Sequence, residues 1–250
     1  MRGLSLVFSL TIAISIWWLG SLFFGAELVP LPSTVGSKLL QLLVQGATLK
    51  TIGITVARGV GGLGLALVLA LITGIAAGSS PSTMKLLTPL VAALQSCPPI
   101  LWITLLMVWV GTGSAVPIAV VFATVFPPLF ANVAQGCLSI DRRLFDMANL
   151  YNVPRLRVLR KIILPGVVPY LLAGLSYAAS ASWKITAVAE FLGSSTGIGA
   201  KIYWSYRMLE IPELFAWASI VIILGVYLEL GVISPLRNAA SGAGNTKEAT

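Results

Sequence analysis

Long runs of apolar residues, separated by short polar stretches, dominate the chain. Six runs, each near 20 residues long, extend over about residues 4–24, 54–77, 86–110, 115–138, 166–191 and 214–235. Runs of this length cross a bilayer as helices, whereas strands of a membrane barrel would alternate apolar and polar residues at every second position. The pattern therefore predicts an all-α integral membrane protein with about six transmembrane helices.

The polar stretches predict the organisation and orientation of these helices. We expect a transmembrane helix within residues 1–26, an extracytoplasmic loop and short amphipathic helix over 27–52, a helical core over 53–236 and a disordered cytoplasmic tail over 237–250. With the N-terminus inside, cytoplasmic stretches carry ten Lys or Arg residues and outer stretches carry four. This bias follows the positive-inside rule and places both termini in the cytoplasm.

Two proline pairs interrupt the apolar runs, Pro98-Pro99 in the third and Pro127-Pro128 in the fourth. Proline removes a backbone donor and clashes with the preceding turn, so both helices should kink or break. Two interpretations remain open. The breaks serve only packing, or they line a substrate pathway, because freed carbonyls survive in a membrane only inside protein or beside a water-filled cavity.

Composition supports a membrane transport role and disfavours an enzyme. Only 10% of the residues are charged and 57% are hydrophobic, against about 25% charged in soluble domains. The net charge of +8 reflects orientation rather than nucleic-acid binding. The chain has no histidine, and Cys97 and Cys137 are far apart, so neither a metal site nor a redox pair is expected. It contains no G-x-x-x-x-G-K-[ST] phosphate loop, so it should not hydrolyse ATP itself.

Charged residues inside the apolar runs are candidates for the pathway. Lys184 and Glu190 lie six residues apart in the fifth run, about 120° around a helix, so they need separate partners. Lys184 either attracts an anionic solute or serves structure, by snorkelling or by pairing with a neighbouring helix. Weaker lining candidates lie beside the proline pair or beside Lys184: Ser96, Trp102, Thr104 and Trp183.

The most basic segment, residues 141–165, predicts two short helices joined by a sharp bend. Asn152 tolerates the left-handed conformation that ends a helix, and Pro154 can begin the next one. The positions on one face of the first helix are apolar: Leu144, Met147, Ala148 and Tyr151. The basic side chains of the whole segment include Arg142, Arg143, Arg155 and Arg157. Such a segment could lie on lipid headgroups or form a socket for another protein.

The spacing in this segment resembles the E-A-A-x3-G-x9-I-x-L-P loop of binding-protein-dependent ABC importer permeases. Here it reads Asp146-Met147-Ala148, three residues, Asn152, nine residues and Ile162-Ile163-Leu164-Pro165. Asp replaces Glu, Met replaces Ala and Asn replaces Gly. The stretches "CPPILWITLLMVWVGTG", "VFPPLFANVAQG" and "SWKITAVAEFLGSSTGIG" are similar to the nitrate, sulfonate, taurine and bicarbonate branch of that family.

The resemblance implies a type I ABC importer permease-like fold in a bacterial cytoplasmic (inner) membrane. The chain would be a non-catalytic subunit that binds no cofactor and pairs with a second copy of itself. Its other expected partners are two ATPase subunits, which would hold ATP and Mg²⁺, an extracytoplasmic substrate-binding protein and membrane lipid. Glu190 would fix helix packing or the outer gate, and the solute would be a small anion. The ATPase contact would include Asp146, Met147, Ala148, Asn152, Ile162, Leu164, Pro165 and the four arginines.

A stand-alone secondary transporter or channel remains an alternative to the importer subunit. In that case the basic segment would bind lipid, and transport would need no ATPase. A membrane-embedded enzyme is a third possibility, but the eight acidic residues are scattered along the sequence and form no acid–base pair or metal-ligand cluster.

Overall fold

The computed structural model describes residues 2–235, except the side chains of residues 2–7, 9 and 10. The described residues form α-helices and two π-helical turns, with no strand among them. The helices are α1 (Arg2–Phe24), α2 (Pro32–Val44), α3 (Gly46–Ser79), α4 (Pro81–Ser96), α5 (Pro99–Val110), α6 (Ala115–Leu138), α7 (Arg142–Leu150), α8 (Arg155–Val158), α9 (Leu164–Gly193), α10 (Ile198–Arg207) and α11 (Ile211–Leu228). The expected polar tail lies outside the described residues.

Helices α3 and α6 form the centre of the fold through close backbone approach. A stripe of small residues follows α3 at four-residue spacing: Gly62, Ala66, Ala70, Gly74 and Gly78. A Cβ atom at Gly62 would lie 2.7 Å from Val121, and one at Gly74 would lie 2.7 Å from Val133. Small residues let helices pack tightly in a bilayer, where no hydrophobic effect drives them together. Helix α9 packs on another face of α6, where Gly136 approaches Val167, and it also contacts α3.

Helix length and composition identify four or five membrane crossings among the described residues. Among the described residues, four helices are long and apolar enough to span, or five if the bent pair α4–α5 counts as one span. The described apolar part of α1, Thr11–Phe24, is shorter than a full span. The all-helical membrane fold expected from the sequence is therefore confirmed, whereas the count of six is not.

The two proline pairs have different effects on the backbone. The chain bends by 93° between α4 and α5. Cys97 and Pro98 are extended there, with ψ angles of 119° and 144°, because a residue before proline is pushed out of the helical region. In contrast, α6 continues through Pro127 and Pro128. The break expected at this second pair is therefore wrong, because α6 packs against both α3 and α9, which hold it helical despite the lost donors.

The basic segment is also more continuous than its sequence predicts. Helix α7 is short, but α8, a π-helical turn over Leu159–Ile163 and α9 join into one 39-residue helix from Arg155 to Gly193. The expectation of two short helices is therefore wrong for the second one. Pro165 comes directly after the π-helical turn, inside this continuous helix, and does not interrupt it.

Candidate pathway and coupling sites

A buried ion pair joins α3 to α9 near the end of the molecule opposite the basic segment. Arg58 Nη1 lies 2.8 Å from Glu190 Oε1, and the two side chains are 5% and 0% exposed. The guanidinium also donates to the Thr196 carbonyl at 2.6 Å and to the Ser114 hydroxyl at 2.8 Å. Because a buried charge is tolerable only when it is paired and hydrogen-bonded, these acceptors are what permit Arg58 in an apolar helix.

The second carboxylate oxygen of Glu190 organises the chain on the other side of the pair. Glu190 Oε2 accepts from the Thr55 hydroxyl at 2.8 Å and from the Gly199 N–H at 3.1 Å. The Thr55 hydroxyl oxygen in turn accepts from the Ile198 N–H at 2.9 Å. The start of α10 is therefore hydrogen-bonded directly to α3 and α9. We call the residues Thr55, Arg58, Ser114, Glu190, Thr196, Ile198 and Gly199 the outer network.

Glycine is required where the chain passes over the Glu190 carboxylate. Gly197 has φ +103°, and a Cβ there would overlap the carboxylate of Glu190. A Cβ at Gly199 would overlap the Ala187 carbonyl oxygen and lie 2.7 Å from the Glu190 Cβ. The T-G-I-G sequence thus fits a loop that wraps tightly around a buried carboxylate.

Sequence reasoning did not identify the partner of Glu190, which is Arg58 in the second apolar run. The order of the runs contains a signal that could have identified it. Arg58 lies near the start of its run and Glu190 near the end of the fifth, so helices of opposite direction place the two charges at the same depth.

A cavity of about 530 Å³ lies at the bend between α4 and α5, where it also meets α6. Its lining comes from four helices, α4, α5, α6 and α9, and from the bend itself: Leu94, Gln95, Ser96, Cys97, Pro98, Pro99, Ala123, Thr124, Pro128, Asn132 and Tyr177. Four predicted residues, Ser96, Pro98, Pro99 and Pro128, thus meet in one place. None of these lining residues is charged, so the cavity is polar through hydroxyl, amide and backbone groups. We call it the bend cavity.

Trp102 and Thr104 lie beyond the bend in α5, outside the lining of the cavity. Thr104 is exposed, and its hydroxyl donates to the Ile100 carbonyl at 3.0 Å within the helix. Trp102 is half-buried and packs beside Ile103. Within the described part of the chain, its buried indole N–H has no hydrogen-bond partner.

Lys184 and Trp183 belong to a different concavity. A cavity of about 560 Å³ lies between α9 and the end of α11, and both residues line it together with Ser180 and Glu229. Trp183 is 7% exposed, and its indole N–H donates to the Val221 carbonyl at 3.1 Å. Trp183 thus serves helix packing. The residues expected to line one pathway are therefore dispersed: Ser96 lies in the bend cavity, Trp183 and Lys184 in the α9–α11 cavity and Glu190 in the outer network, whereas Trp102 and Thr104 lie in none of these.

The basic segment forms a capped helix and a tight corner at the other end of the molecule. The Asp141 carboxylate accepts from the Arg143 N–H at 2.9 Å and caps the start of α7. At the other end of α7 the Val153 N–H donates to the Ala148 carbonyl at 2.8 Å, and Asn152 adopts φ +50°. This is a Schellman motif, so the left-handed conformation expected of Asn152 is confirmed.

Most side chains of this corner face away from the rest of the chain. Ala148 is 3% exposed, whereas Leu150 and Tyr151 are 78% and 74% exposed. Ile162 is half-buried. The remaining predicted coupling residues are exposed: Arg142, Arg143, Asp146, Met147, Asn152, Arg155, Arg157, Leu164 and Pro165. Among the described residues, none of these arginines forms an ion pair.

Comparison with known proteins identifies the family. Residues 62–235 match the model of the binding-protein-dependent transport system inner membrane component. The chain is 27% identical over 231 residues to the taurine transport system permease protein TauC of Escherichia coli (strain K12). This alignment covers 90% of this chain and 84% of the relative. It is 28% identical over 227 residues to the putative aliphatic sulfonates transport permease protein SsuC of Bacillus subtilis (strain 168), covering 90% and 81%.

A shorter match and a solved structure agree with this result. The nitrate import permease protein NrtB of Leptolyngbya laminosa is 30% identical over 169 residues, covering 68% of this chain and 57% of the relative. An inward-facing structure of the MetNI methionine ABC transporter superposes with a TM-score of 0.65 at 16% identity, covering 77% of this chain and 95% of that one. The family match over 62–235 carries the assignment. The chain belongs to the inner membrane permease components of binding-protein-dependent ABC transport systems, and is a multi-pass, non-catalytic transport subunit.

Proposed function

We propose that this chain forms the translocation pathway of an ATP-driven importer and is coupled to its ATPase through residues 141–165. The family implies an ATPase and a substrate-binding protein as partners. The observation that carries the coupling role is the capped corner after α7, which presents Leu150, Tyr151 and exposed arginines outward. A lipid anchor needs only basic charge, whereas a socket needs the defined shape that the Schellman motif gives this corner.

The continuity of the helix after this corner supplies a mechanical connection. When ATP closes the ATPase subunits, displacement of the corner moves Arg155 together with the whole helix up to Gly193. Glu190 lies near the far end of that helix, where it holds Arg58 and the start of α10. Helical continuity thus favours a rigid-body motion that acts at both membrane faces.

The proposed function also includes an orientation of the chain in the membrane and its pairing with a second copy of itself. The corner lies in the cytoplasm, together with both termini, and the outer network faces the substrate-binding protein. A second copy of the chain covers the exposed apolar side of α5, where Leu101, Val108 and Trp109 are each more than 50% exposed. Two-fold symmetry is the commonest arrangement of homodimers, and this pairing places the two bend cavities beside the common axis.

The solute is a small anion, as the names of the taurine, sulfonate and nitrate relatives suggest. Lys184 is the cation that fits this role, because it is exposed and lines the α9–α11 cavity. We expect Lys184→Met to weaken uptake of a sulfonate, whereas Lys201→Met, an exposed lysine on α10, should leave it unchanged.

Uptake energetics test the proposed function. In cells that express the complete system, depletion of ATP should stop uptake of the solute, while collapse of the ion gradients at constant ATP should not. Uptake that continues without ATP and stops with the ion gradient would overturn the proposal in favour of a stand-alone transporter.

A further inference from the structure

One side of the helical core exposes polar side chains, whereas another side exposes only apolar residues and glycine. Every exposed residue of α3 over 56–76 is apolar or glycine, which suits contact with lipid. In contrast, α4 and α6 leave Thr88, Gln95 and Gln135 exposed within their apolar sequences. Because a polar side chain that faces lipid is costly, exposed amides at this depth indicate a surface that meets water or protein.

The two exposed glutamines have amides that the chain does not pair. On α6 the neighbouring Asn132 amide donates to the Pro128 carbonyl at 2.8 Å. Within the described part of the chain, by contrast, no hydrogen bond reaches the side chain of Gln95 or Gln135. A side-chain amide has two N–H donors and one acceptor oxygen, so the partners of these two amides must come from outside the chain.

Both glutamines line a second cavity, of about 280 Å³, between α4 and α6. This cavity adjoins the bend cavity, since Gln95 lines both. Its lining extends to Met84, in the first turn of α4, and to Leu138, the last residue of α6. It therefore runs from the bend towards the end of the molecule that carries the basic segment. We call it the inner groove.

One face of α6 continues along both cavities. Thr124, Pro128, Asn132 and Gln135 follow the spacing of a single helix face. The first three line the bend cavity, and Gln135 lines the inner groove. The step from Thr124 to Gln135 corresponds to a rise of about 16 Å, roughly half of the hydrocarbon core of a bilayer. A largely polar face thus covers about half of the membrane.

We propose that the inner groove is the inward half of the solute route, and that the solute passes from the bend cavity into it at Gln95. The amides of Gln95 and Gln135 can both donate and accept, so they offer a solute successive uncharged partners in place of water. Among the described residues that line the inner groove, none is charged, which favours release over tight binding. This inference rests on the proposed function, which supplies the orientation of the chain and the direction of transport.

Cysteine accessibility in native membranes tests whether the inner groove holds water. Inside-out vesicles are prepared from cells that express the complete system, in which this chain carries Cys97→Ala and Cys137→Ala. A single cysteine then replaces Ala131 or Gln135, which are exposed and line the groove. The vesicles are treated with 2-sulfonatoethyl methanethiosulfonate, a membrane-impermeant reagent that is itself a small sulfonate. Thiols that remain unreacted are counted with a mass-shifting maleimide after denaturation.

Ala76→Cys is the depth-matched control on the apolar face of α3. Residue 76 is exposed and lies between Gly74, which approaches Val133, and Gly78, which approaches Cys137. We expect both groove cysteines to react about tenfold faster than this control or more, because the charged reagent must leave water to reach a thiol that faces lipid. Groove cysteines that react as slowly as the control, or a control that reacts as fast as they do, would overturn the inference.

A larger side chain at Gln95 tests whether this residue lies at the junction. In the chain with Cys137→Ala, the native Cys97 lines the bend cavity, and the reagent from the inner side must pass Gln95 to reach it. Gln95→Trp should slow this reaction on the order of tenfold. Leu90→Trp is the matched control, because Leu90 is exposed on α4 and lines neither cavity. An unchanged rate in Gln95→Trp, or an equal loss in Leu90→Trp, would contradict the assignment.

Failure of this inference is distinguishable from failure of the proposed function. If uptake needs ATP but the groove cysteines react no faster than Ala76→Cys, only the route is wrong. If the groove cysteines react fast and uptake needs no ATP, the inner groove is the inner route of a transporter of another class, and the proposed function alone fails.

Discussion

The outer network and the cytoplasmic corner both concentrate polar groups in an apolar chain, yet they treat them in opposite ways. Arg58 and Glu190 are buried, and seven hydrogen bonds within the chain satisfy them. Arg142, Arg143 and Arg155 are exposed and form no ion pair among the described residues. A polar group that is hydrogen-bonded within the chain stabilises the fold, whereas an exposed polar group on a rigid corner is available to a partner protein. The difference separates residues that hold the fold from residues that we propose to contact the ATPase.

The most severe test of this distinction is to remove the charge of Glu190. In Glu190→Gln the buried guanidinium of Arg58 loses its counter-ion, which should destabilise the protein by about 3–5 kcal/mol. The half-exposed pair Lys38–Glu213, at 3.0 Å, is the control. Lys38→Met should cost at most about 1 kcal/mol. Unfolding in detergent measures both variants, and equal small losses would show that the outer network does not hold the fold.

A second substitution sharpens the structural side of the comparison without touching a charge. Gly197 and Gly111 both have positive φ, but only at Gly197 would a Cβ meet the Glu190 carboxylate; Gly111 has nothing within 4 Å. Both alanine variants should carry backbone strain of about 1–3 kcal/mol. Gly197→Ala should lose about 1–3 kcal/mol more, because it overpacks the network. Thermal unfolding of the pair checks this, and equal midpoints would contradict the tight loop.

The coupling side should respond in binding rather than in stability. Leu150→Glu places a charge on a side chain that is 78% exposed, so the fold should be unaffected. Affinity for the ATPase should fall on the order of thirtyfold, as for a residue that dominates an interface. Met208→Glu, at 65% exposure on the far side of the molecule, is the control. If both variants bind the ATPase as well as the unmodified chain does, the corner is not the contact.

The smallest expected effect concerns the turn within the corner. Asn152 has φ +50°, which costs alanine about 1 kcal/mol and glycine nothing. Asn152→Ala should therefore lower stability slightly, while Asn152→Gly should leave it unchanged or raise it. Chemical unfolding distinguishes the two. A loss in the glycine variant would mean that the Asn152 side chain itself is needed.

The features that the sequence predicted correctly are those determined by local chemistry. Apolar runs identified the helical membrane fold, and the residue type at position 152 anticipated its left-handed conformation. The bend before Pro99 follows from the steric effect of proline on its neighbour. The break expected at Pro127 did not occur, because the packing of α3 and α9 against α6 overrides that local preference.

Features that depend on long-range packing could not be obtained from local pattern. The partner of Glu190 is 132 residues away in sequence, so helix spacing alone did not identify it. Likewise, Lys184 and Ser96 line separate cavities because α9 and α4 face different neighbours. Their shared polarity in apolar runs suggested a single pathway that the chain does not form by itself.

Co-purification of the tagged chain from its native host is the most direct test of the central claim, that residues 141–165 couple the chain to an ATPase. The complex is extracted in a gentle detergent, and its partners are identified by mass spectrometry. A second copy carries Asp146→Lys and Asn152→Trp, which alter the exposed surface of the corner. We predict that an ATPase with a phosphate loop accompanies the unmodified chain and is lost from the double variant. Recovery of the chain alone, with both versions binding lipid vesicles equally, would contradict the account.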